Sequence, residues 1–402
     1  MGLIVQKFGG SSVRDAERVM NVARRITETY QAGNSVVVAV SAQGDTTDDL
    51  IEKAMEINDH ASKREMDMLL SSGEQISIAL LAMAIEKLGF PVVSLTGWQA
   101  GFKTNSNYGA ARIKTIDTER INLEIDRKRI VIVAGFQGLN KYDDITTLGR
   151  GGSDTSAVAL AAALNADLCE IYTDVDGVYT ADPRFVKNAY KLEDISYDEM
   201  LELASLGANV LHNRSVEMAK KYNVKLSVRS SLNRNEGTYV KEVDQVEKMV
   251  VRGVTRDNDC ARIALCGVED TPGKAFQVFR MLAKHNINVD LIIQSIGNGV
   301  KKDIAFTTSE GNLDEALQLL HDNNNVIKAD QIKSTKDVSK VSIVGAGMVN
   351  DAGVAAKMFE ALSDAHININ MIATSEIKIS VIVDRADAER AVVAIHDKFL
   401  LK

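Results

Sequence analysis

Six short runs rich in valine and isoleucine, spread over residues 3–229, do most to limit what this chain can fold into. They are Leu3–Gln6, Val36–Ser41, Val92–Thr96, Ile130–Ala134, Cys169–Thr173 and Lys225–Arg229. They show little polar alternation, which predicts strands covered on both faces. Helical segments lie between them, among them Ala16–Gln31, Met66–Leu88 and Ser196–Ala204. Strand and helix in alternation predict a layered α/β domain with a mostly parallel sheet, in which ligands sit at the carboxyl ends of the strands.

Two glycine loops fall at such ends. Lys7-Phe8-Gly9-Gly10-Ser11-Ser12 follows the first strand and precedes a helix beginning near Asp15. Thr146-Thr147-Leu148-Gly149-Arg150-Gly151-Gly152-Ser153-Asp154-Thr155-Ser156 leads into an alanine-rich helix, Ala157–Leu164. Glycines let backbone N–H groups converge, and a helix start adds partial positive charge, so both loops read as anion cradles. Arg150 adds a planar fork suited to a carboxylate or phosphate. Neither loop is a Walker sequence or a dinucleotide fingerprint.

Three more segments belong at the same sheet edge: Ser41 with Gly44-Asp45-Thr46-Thr47, Gly73-Glu74, and Thr173-Asp174 continuing through Gly177-Val178-Tyr179-Thr180-Ala181-Asp182-Pro183-Arg184. The set holds cations, small hydroxyls, one carboxylate that could meet an amine, Glu74, and Asp154. It contains no histidine and suggests no Ser-His or Cys-His pair, which disfavours a covalent hydrolytic mechanism. Positioning and charge neutralisation are what phosphoryl transfer needs. Plainer readings stand beside these: Glu74 as a solvated helix charge, Asp154 as a helix cap, and Asp182-Pro183-Arg184 as a turn.

A length of 402 residues allows two or three domains. The net charge of −8 disfavours a nucleic-acid binder. Three cysteines without metal spacing fit a reducing cytoplasm, and six scattered histidines make a histidine-based metal site unexpected. The chain opens directly into a strand, with no basic leader and apolar run, and no apolar stretch reads as long enough to span a membrane.

Residues Asn233–Asp257 read as a linker carrying one strand, Met249–Val254. Beyond it the chain repeats itself. Gly273, Phe279, Leu282, Ile287, Asn288 and Ile292 recur, each 80 residues on, as Gly353, Phe359, Leu362, Ile367, Asn368 and Ile372. Each copy reads as βαββαβ, a ferredoxin-like pair. Gly345-Ala346-Gly347 is then the turn after the second copy's first strand. The expected domains are 1–243, 259–335 and 336–402.

These residues resemble a known family. Lys7–Ser12, Arg64-Glu65-Met66-Asp67-Met68-Leu69-Leu70, Gly97-Trp98-Gln99-Ala100-Gly101, Gly135-Phe136-Gln137-Gly138, the Thr146–Thr155 loop and Tyr172–Arg184 are similar to bacterial monofunctional aspartokinases over nearly the whole chain. The resemblance implies an amino-acid-kinase domain followed by two ACT domains, with the linker strand joining the second. It implies a kinase that uses ATP with Mg²⁺ to phosphorylate the side-chain carboxylate of L-aspartate. Lys7 would contact the transferring phosphate and Asp154 would hold Lys7. Ser41, Asp45, Thr46, Thr47, Glu74, Arg150, Gly151, Gly152 and Ser153 would hold aspartate. Phe8, Gly9, Gly10, Thr173, Asp174, Tyr179, Thr180, Ala181, Asp182, Pro183 and Arg184 would meet the nucleotide. Asp270, Gly273, Ala275, Gln294, Asn370 and Thr374 match effector positions, the effectors being lysine or threonine, and the ACT units would join subunits of a homo-oligomer. No dedicated metal ligand, nucleic acid or membrane partner is implied. The chain has Asn209 where many relatives have a nucleotide-reaching lysine, so Asn209 is assigned no role. It reads Asp351-Ala352-Gly353 where a proline usually precedes the glycine. A glutamate or N-acetylglutamate kinase and a non-catalytic amino-acid sensor are the alternatives.

Overall fold

The computed structural model describes residues 2–207, 210–242, 250–296, 299–351 and 353–400, with 349 and 350 described at the backbone only. Asn209, Met249 and Ala352 lie outside the described residues. The chain forms two compact units.

The first unit runs β1 (Leu3–Phe8), α1 (Ala16–Gln31), β2 (Ser35–Val40), α2 (Thr46–Ile57), α3 (Lys63–Lys87), β3 (Val92–Leu95), β4 (Phe102–Thr104), β5 (Ile113–Ile116), α4 (Glu119–Asp126), β6 (Ile130–Ala134), β7 (Gln137–Leu139), β8 (Ile145–Thr147), α5 (Gly152–Ala163), β9 (Leu168–Thr173), β10 (Asp194–Ile195), α6 (Tyr197–Ser205), α7 (Asn213–Tyr222), β11 (Leu226–Ser230) and β12 (Thr238–Val240). Its main sheet has the order β10-β12-β11-β9-β1-β2-β6-β3. It is parallel except where β12 runs against β11. Along β6 every residue is buried, as expected of a strand with a covered face on each side. Asp15 starts α1 by accepting a hydrogen bond from the Arg18 N–H at 2.9 Å. Ser62 caps α3, so that helix begins three residues before the apolar periodicity does. By length and composition alone α3 is long and apolar enough to cross a membrane, contrary to the expectation that no apolar stretch is long enough. Its buried face carries Asp67, Ser71, Glu74 and Ser77 together with Ile78, Leu81 and Ile85. A second, small sheet, β5-β4-β7-β8, was not anticipated, because its strands are three or four residues long and partly polar.

The second unit contains β13 (Gly253–Asp257), β14 (Ala261–Glu269), α8 (Lys274–Lys284), β15 (Ile292–Gln294), β16 (Lys301–Thr308), α9 (Leu313–Asp322), α10 (Asn324–Ile327), β17 (Gln331–Thr335), β18 (Val338–Val344), α11 (Val354–Asp364), β19 (Met371–Thr374), β20 (Lys378–Asp384) and α12 (Ala388–Leu400). The first copy of the repeat builds the sheet β15-β16-β14-β17. The second builds β13-β18-β20-β19. The strand expected to close the second copy is replaced: β13 takes the place that β17 holds in the first, pairing Gly253 with Val344 through Asp257 with Lys340. The linker strand therefore lies at Gly253–Asp257 rather than at Met249–Val254. Val251 goes into the core instead.

Tyr179–Tyr190 also packs in this second unit, although it follows β9 of the main sheet by only a few residues. Ala181 and Val186 share a core with Val341, Ile343, Met358, Leu362, Val381 and Ile395. The Thr180 carbonyl accepts from the Val254 N–H at 2.8 Å. The Thr180 hydroxyl lies 2.9 Å from Nε2 of the fully buried His396 on α12.

Candidate active site

The strands β9, β1, β2 and β6 are neighbours in the sheet and run parallel. Their carboxyl ends release Thr173-Asp174, Gly9-Gly10, Ser41 and Gly135-Phe136, so strand order alone brings four loops together. At the first, Thr173 Oγ1 donates to Asp174 Oδ1 at 3.0 Å. Ser41 is held by its N–H on the Phe8 carbonyl at 3.1 Å. A methyl group on Gly10 would stand 2.7 Å from the Ala42 carbonyl, so a side chain there would part β1 from the Ser41 loop. Phe8 itself is fully buried and stacks on Tyr172 at 4.6 Å, which leaves only its backbone for a ligand.

Lys7 and Asp154 form the central charge pair. Lys7 Nζ lies 2.7 Å from Asp154 Oδ1, with side chains 12% and 13% exposed. Asp154 stands in the first turn of α5, where the helix start favours a carboxylate. The lysine is thus held over the Gly9 backbone: a methyl on Gly9 would sit 3.2 Å from its Nζ.

Glu74 is the most perturbed carboxyl of the site. Only 3% exposed, it accepts the Ala42 N–H on Oε1 at 3.1 Å. Its Oε2 is buried without a hydrogen-bond partner. Burial pushes its pKa up to about 8, against the lowering effect of backbone hydrogen bonds. The neighbouring Gly73 lets α3 approach, since a methyl there would lie 2.8 Å from Ala42 Cβ. Thr46 turns its hydroxyl to the Gln43 carbonyl at 2.6 Å. Asp45 caps α2 by position but makes no side-chain cap bond, and Thr47 lies in the same first turn, half-buried.

The Arg150 loop is tightly shaped. Gly149 and Gly151 have φ of 77° and 69°, which favours glycine at both. A side chain on Gly151 would also strike the His212 ring at 2.2 Å. This brings a histidine from outside the candidate loops against them: His212 is far off in the chain and arrives as the residue capping α7. Gly152 and Ser153 are buried against Phe136 and Gly135. Arg150 is exposed and pairs with no carboxylate among the described residues.

In the Tyr179–Arg184 stretch, Thr180 is fully buried and Ala181 nearly so, while Asp182 Oδ2 holds Arg184 Nη2 at 2.5 Å. Tyr179 is half-buried and Pro183 exposed. In the second unit Asp270 pairs with Lys302 Nζ at 2.9 Å. Gly273, at φ 95°, caps α8, and Ala275 packs on the first copy's core. Gln294 and Thr374 are exposed ends of the edge strands β15 and β19. Asn370 donates to Asp384 Oδ1 at 2.8 Å.

Comparison with known proteins accounts for this arrangement. Residues 2–230 match the amino acid kinase family, and residues 263–323 and 341–399 match the ACT domain. The aspartokinase of Bacillus sp. (strain MGA3) is 51% identical over 402 residues, covering 100% of this chain and 98% of its own. The structure of E. coli aspartokinase III in complex with aspartate and ADP superposes with a TM-score of 0.81 at 26% identity, covering 100% of both chains. The same enzyme in complex with lysine and aspartate gives 0.78 at 25% identity, covering 99% of both. The chain belongs to the amino acid kinase family and, within it, to the aspartokinases; it is an ATP-dependent kinase carrying two ACT domains.

Proposed function

We propose that the chain transfers the γ-phosphoryl group of ATP to the side-chain carboxylate of L-aspartate, giving 4-phospho-L-aspartate. This would feed the synthesis of lysine, threonine and methionine in the cytoplasm. The observation that carries the reading is Glu74: a buried carboxyl with one oxygen lacking a partner fits an acceptor that brings its own ammonium. The aspartate and ADP bound to E. coli aspartokinase III support it.

In this reading Glu74 takes the α-ammonium and Arg150 a substrate carboxylate, as a fork free to close on it. Ser41, Asp45, Thr46, Thr47 and the Gly151–Ser153 backbone complete the aspartate site. Lys7 stabilises charge on the transferring phosphoryl group, and Asp154 fixes its position at 2.7 Å. The acceptor carboxylate is already ionised at neutral pH, so no general base is required. The Gly9-Gly10 cradle and Lys7 fit an anionic nucleotide, which Thr173, Asp174, Tyr179 and the Asp182–Arg184 turn would line. Thr180 and Ala181 would serve through the backbone, because their side chains face the second unit's core. Mg²⁺ would come largely with ATP and supply charge neutralisation on the phosphates.

The ACT pair supports feedback inhibition by lysine, threonine or both, and the lysine bound to E. coli aspartokinase III favours lysine as one effector. An effector ammonium at Asp270 would have to displace Lys302. The exposed edge strands β15 and β19, with Ile292 and Ile372 partly bare, suit pairing between subunits of a homo-oligomer. Purified protein with ATP and Mg²⁺ should form an acyl phosphate from L-aspartate, trapped as the hydroxamate. Equal or better turnover of glutamate or N-acetylglutamate would overturn the assignment.

A further inference from the structure

Asp67 is 1% exposed, on the same face of α3 as Glu74. Both of its carboxylate oxygens accept from the Gly109 N–H at 3.0 Å. Oδ2 also accepts from the Thr147 N–H at 3.0 Å, and Oδ1 from the Thr147 hydroxyl at 2.6 Å. Its acceptor capacity is therefore spent on two segments: the turn at Gly109 and the end of β8, three residues before Arg150. Those two segments are also joined to each other, by the Ala111 N–H on the Thr147 carbonyl at 2.8 Å. Arg214 closes the group from α7, donating to the Leu148 and Ala111 carbonyls at 2.9 Å each.

The geometry points to Asp67 as a positioning residue that sets the distance between the ammonium site and the carboxylate site, and so selects a four-carbon from a five-carbon diacid. This rests on the roles proposed above for Glu74 and Arg150. Seven residues separate Asp67 from Glu74. On a straight α-helix that is about 10.5 Å of rise and nearly two whole turns, which puts both carboxyls in one row. One rigid helix thus carries Glu74 directly and holds the root of the Arg150 loop through Asp67. The loop's own glycines, Gly149 and Gly151 at positive φ, set its local shape, while the Asp67 hydrogen bonds to Thr147 tie its root to α3. If the clamp loosens, the fork of Arg150 can retreat to admit one more methylene. Contact with the reacting atoms is not part of this role.

The test compares Asp67→Asn, Thr147→Val and Thr147→Ser in the full-length enzyme. The amide introduced by Asp67→Asn keeps the size but offers a donor to a site lined by three donors. Thr147→Val removes only the hydroxyl, and Thr147→Ser restores it. For each variant, KM for aspartate, KM for ATP and the aspartate-to-glutamate ratio of kcat/KM are measured. Asp67→Asn should raise the aspartate KM roughly tenfold, the scale of one lost hydrogen bond to a charged group. It should leave the ATP KM within about twofold and lower the aspartate-to-glutamate ratio. Thr147→Val should move the same two quantities by less, and Thr147→Ser should recover them. A carboxylate needed only for folding would lower thermal stability while moving both KM values together or neither. Either pattern, or an unchanged discrimination ratio, overturns the proposal. Thr147→Val decides the matter should Asp67→Asn fail to fold. Failure of the wild type to phosphorylate aspartate would instead strike the functional reading on which this one rests.

Discussion

If Glu74 receives the substrate ammonium, aspartate binding must expel a proton. With a pKa of about 8 in the free protein, the carboxyl at pH 7 is only about one-tenth ionised. Binding an ammonium needs the ionised form. At pH 7, therefore, about 0.9 proton should leave per aspartate bound, and at pH 9 only about 0.1. The same arithmetic makes the apparent affinity rise about tenfold per pH unit up to about pH 8 and then level off. Calorimetric titration with aspartate, at each pH in two buffers of different ionisation heat, counts the protons directly. Glu74→Gln should bind weakly and release none. Proton release near zero at pH 7 in the wild type, or undiminished release in Glu74→Gln, would refute the assignment. A second measurement follows from the same shift. The folded pKa is raised above the ordinary value of 4.5, so the stabilising contribution is complete below about pH 4.5 and is lost as pH rises toward 8. Glu74→Gln, which cannot ionise, should then melt above the wild type at pH 9. The difference, of the order of a few kcal/mol, should close toward pH 5. A gap independent of pH would show that burial does not govern this group.

Three further outcomes are expected. Lys7→Ala should lower kcat by roughly 10²-fold or more while the ATP KM changes only a few-fold, because its charge matters most in the transition state; equal losses in both would contradict this. Arg150→Ala should raise the aspartate KM by roughly 10- to 100-fold with kcat less affected, as expected when a carboxylate loses its fork. Initial rates at low aspartate should fall with added lysine or threonine, and Asp270→Ala should relieve at least part of the inhibition; rates unmoved by millimolar amounts of both together would remove the regulatory role of the ACT pair.

Much of the fold was legible because its central strands are buried on both faces. Ile130–Ala134 matches β6 residue for residue, and Ala16–Gln31 matches α1. The 80-residue repeat likewise foretold the matching frames of α8 and α11, of β15 and β19. What periodicity could not carry was the pairing of distant pieces. The strand β13 has only five residues, and that a linker strand closes the sheet of the second copy, across the whole of the first, comes from the family resemblance and not from any periodicity in them. The same holds for Tyr179–Tyr190. Its motif reads as nucleotide-facing, yet Ala181 and Val186 pack in a core that includes Val251 and Val254 and is completed by residues from Val341 onward.

The site divides along the same line. Glycine loops, Lys7, Arg150 and Asp154 announce themselves because their chemistry is local: a strand, a tight turn and a helix start. Glu74 is different. As a sequence it is one charge on a long helix, and an exposed glutamate was the plainer reading. It becomes a candidate binding group only in the fold, where Gly73 lets α3 approach Ala42 and the carboxyl is buried beside a single N–H, which raises its pKa. Asp67 and His212 go one step further. Asp67 meets Thr147 across 80 residues of chain, and the His212 ring abuts Gly151 from the start of α7. Asp67 enters the family motif at residues 64–70 with no role attached to it, and an aspartate seven residues before a glutamate and a histidine capping a helix are by themselves ordinary features of soluble helices. Their significance lies in which loop they hold. The glycine loops and their charges are written in local motifs, whereas Glu74 and the groups that join those motifs are set by tertiary packing. Substrate length, which depends on the distances between those motifs, is for that reason the property least open to reading from the motifs alone.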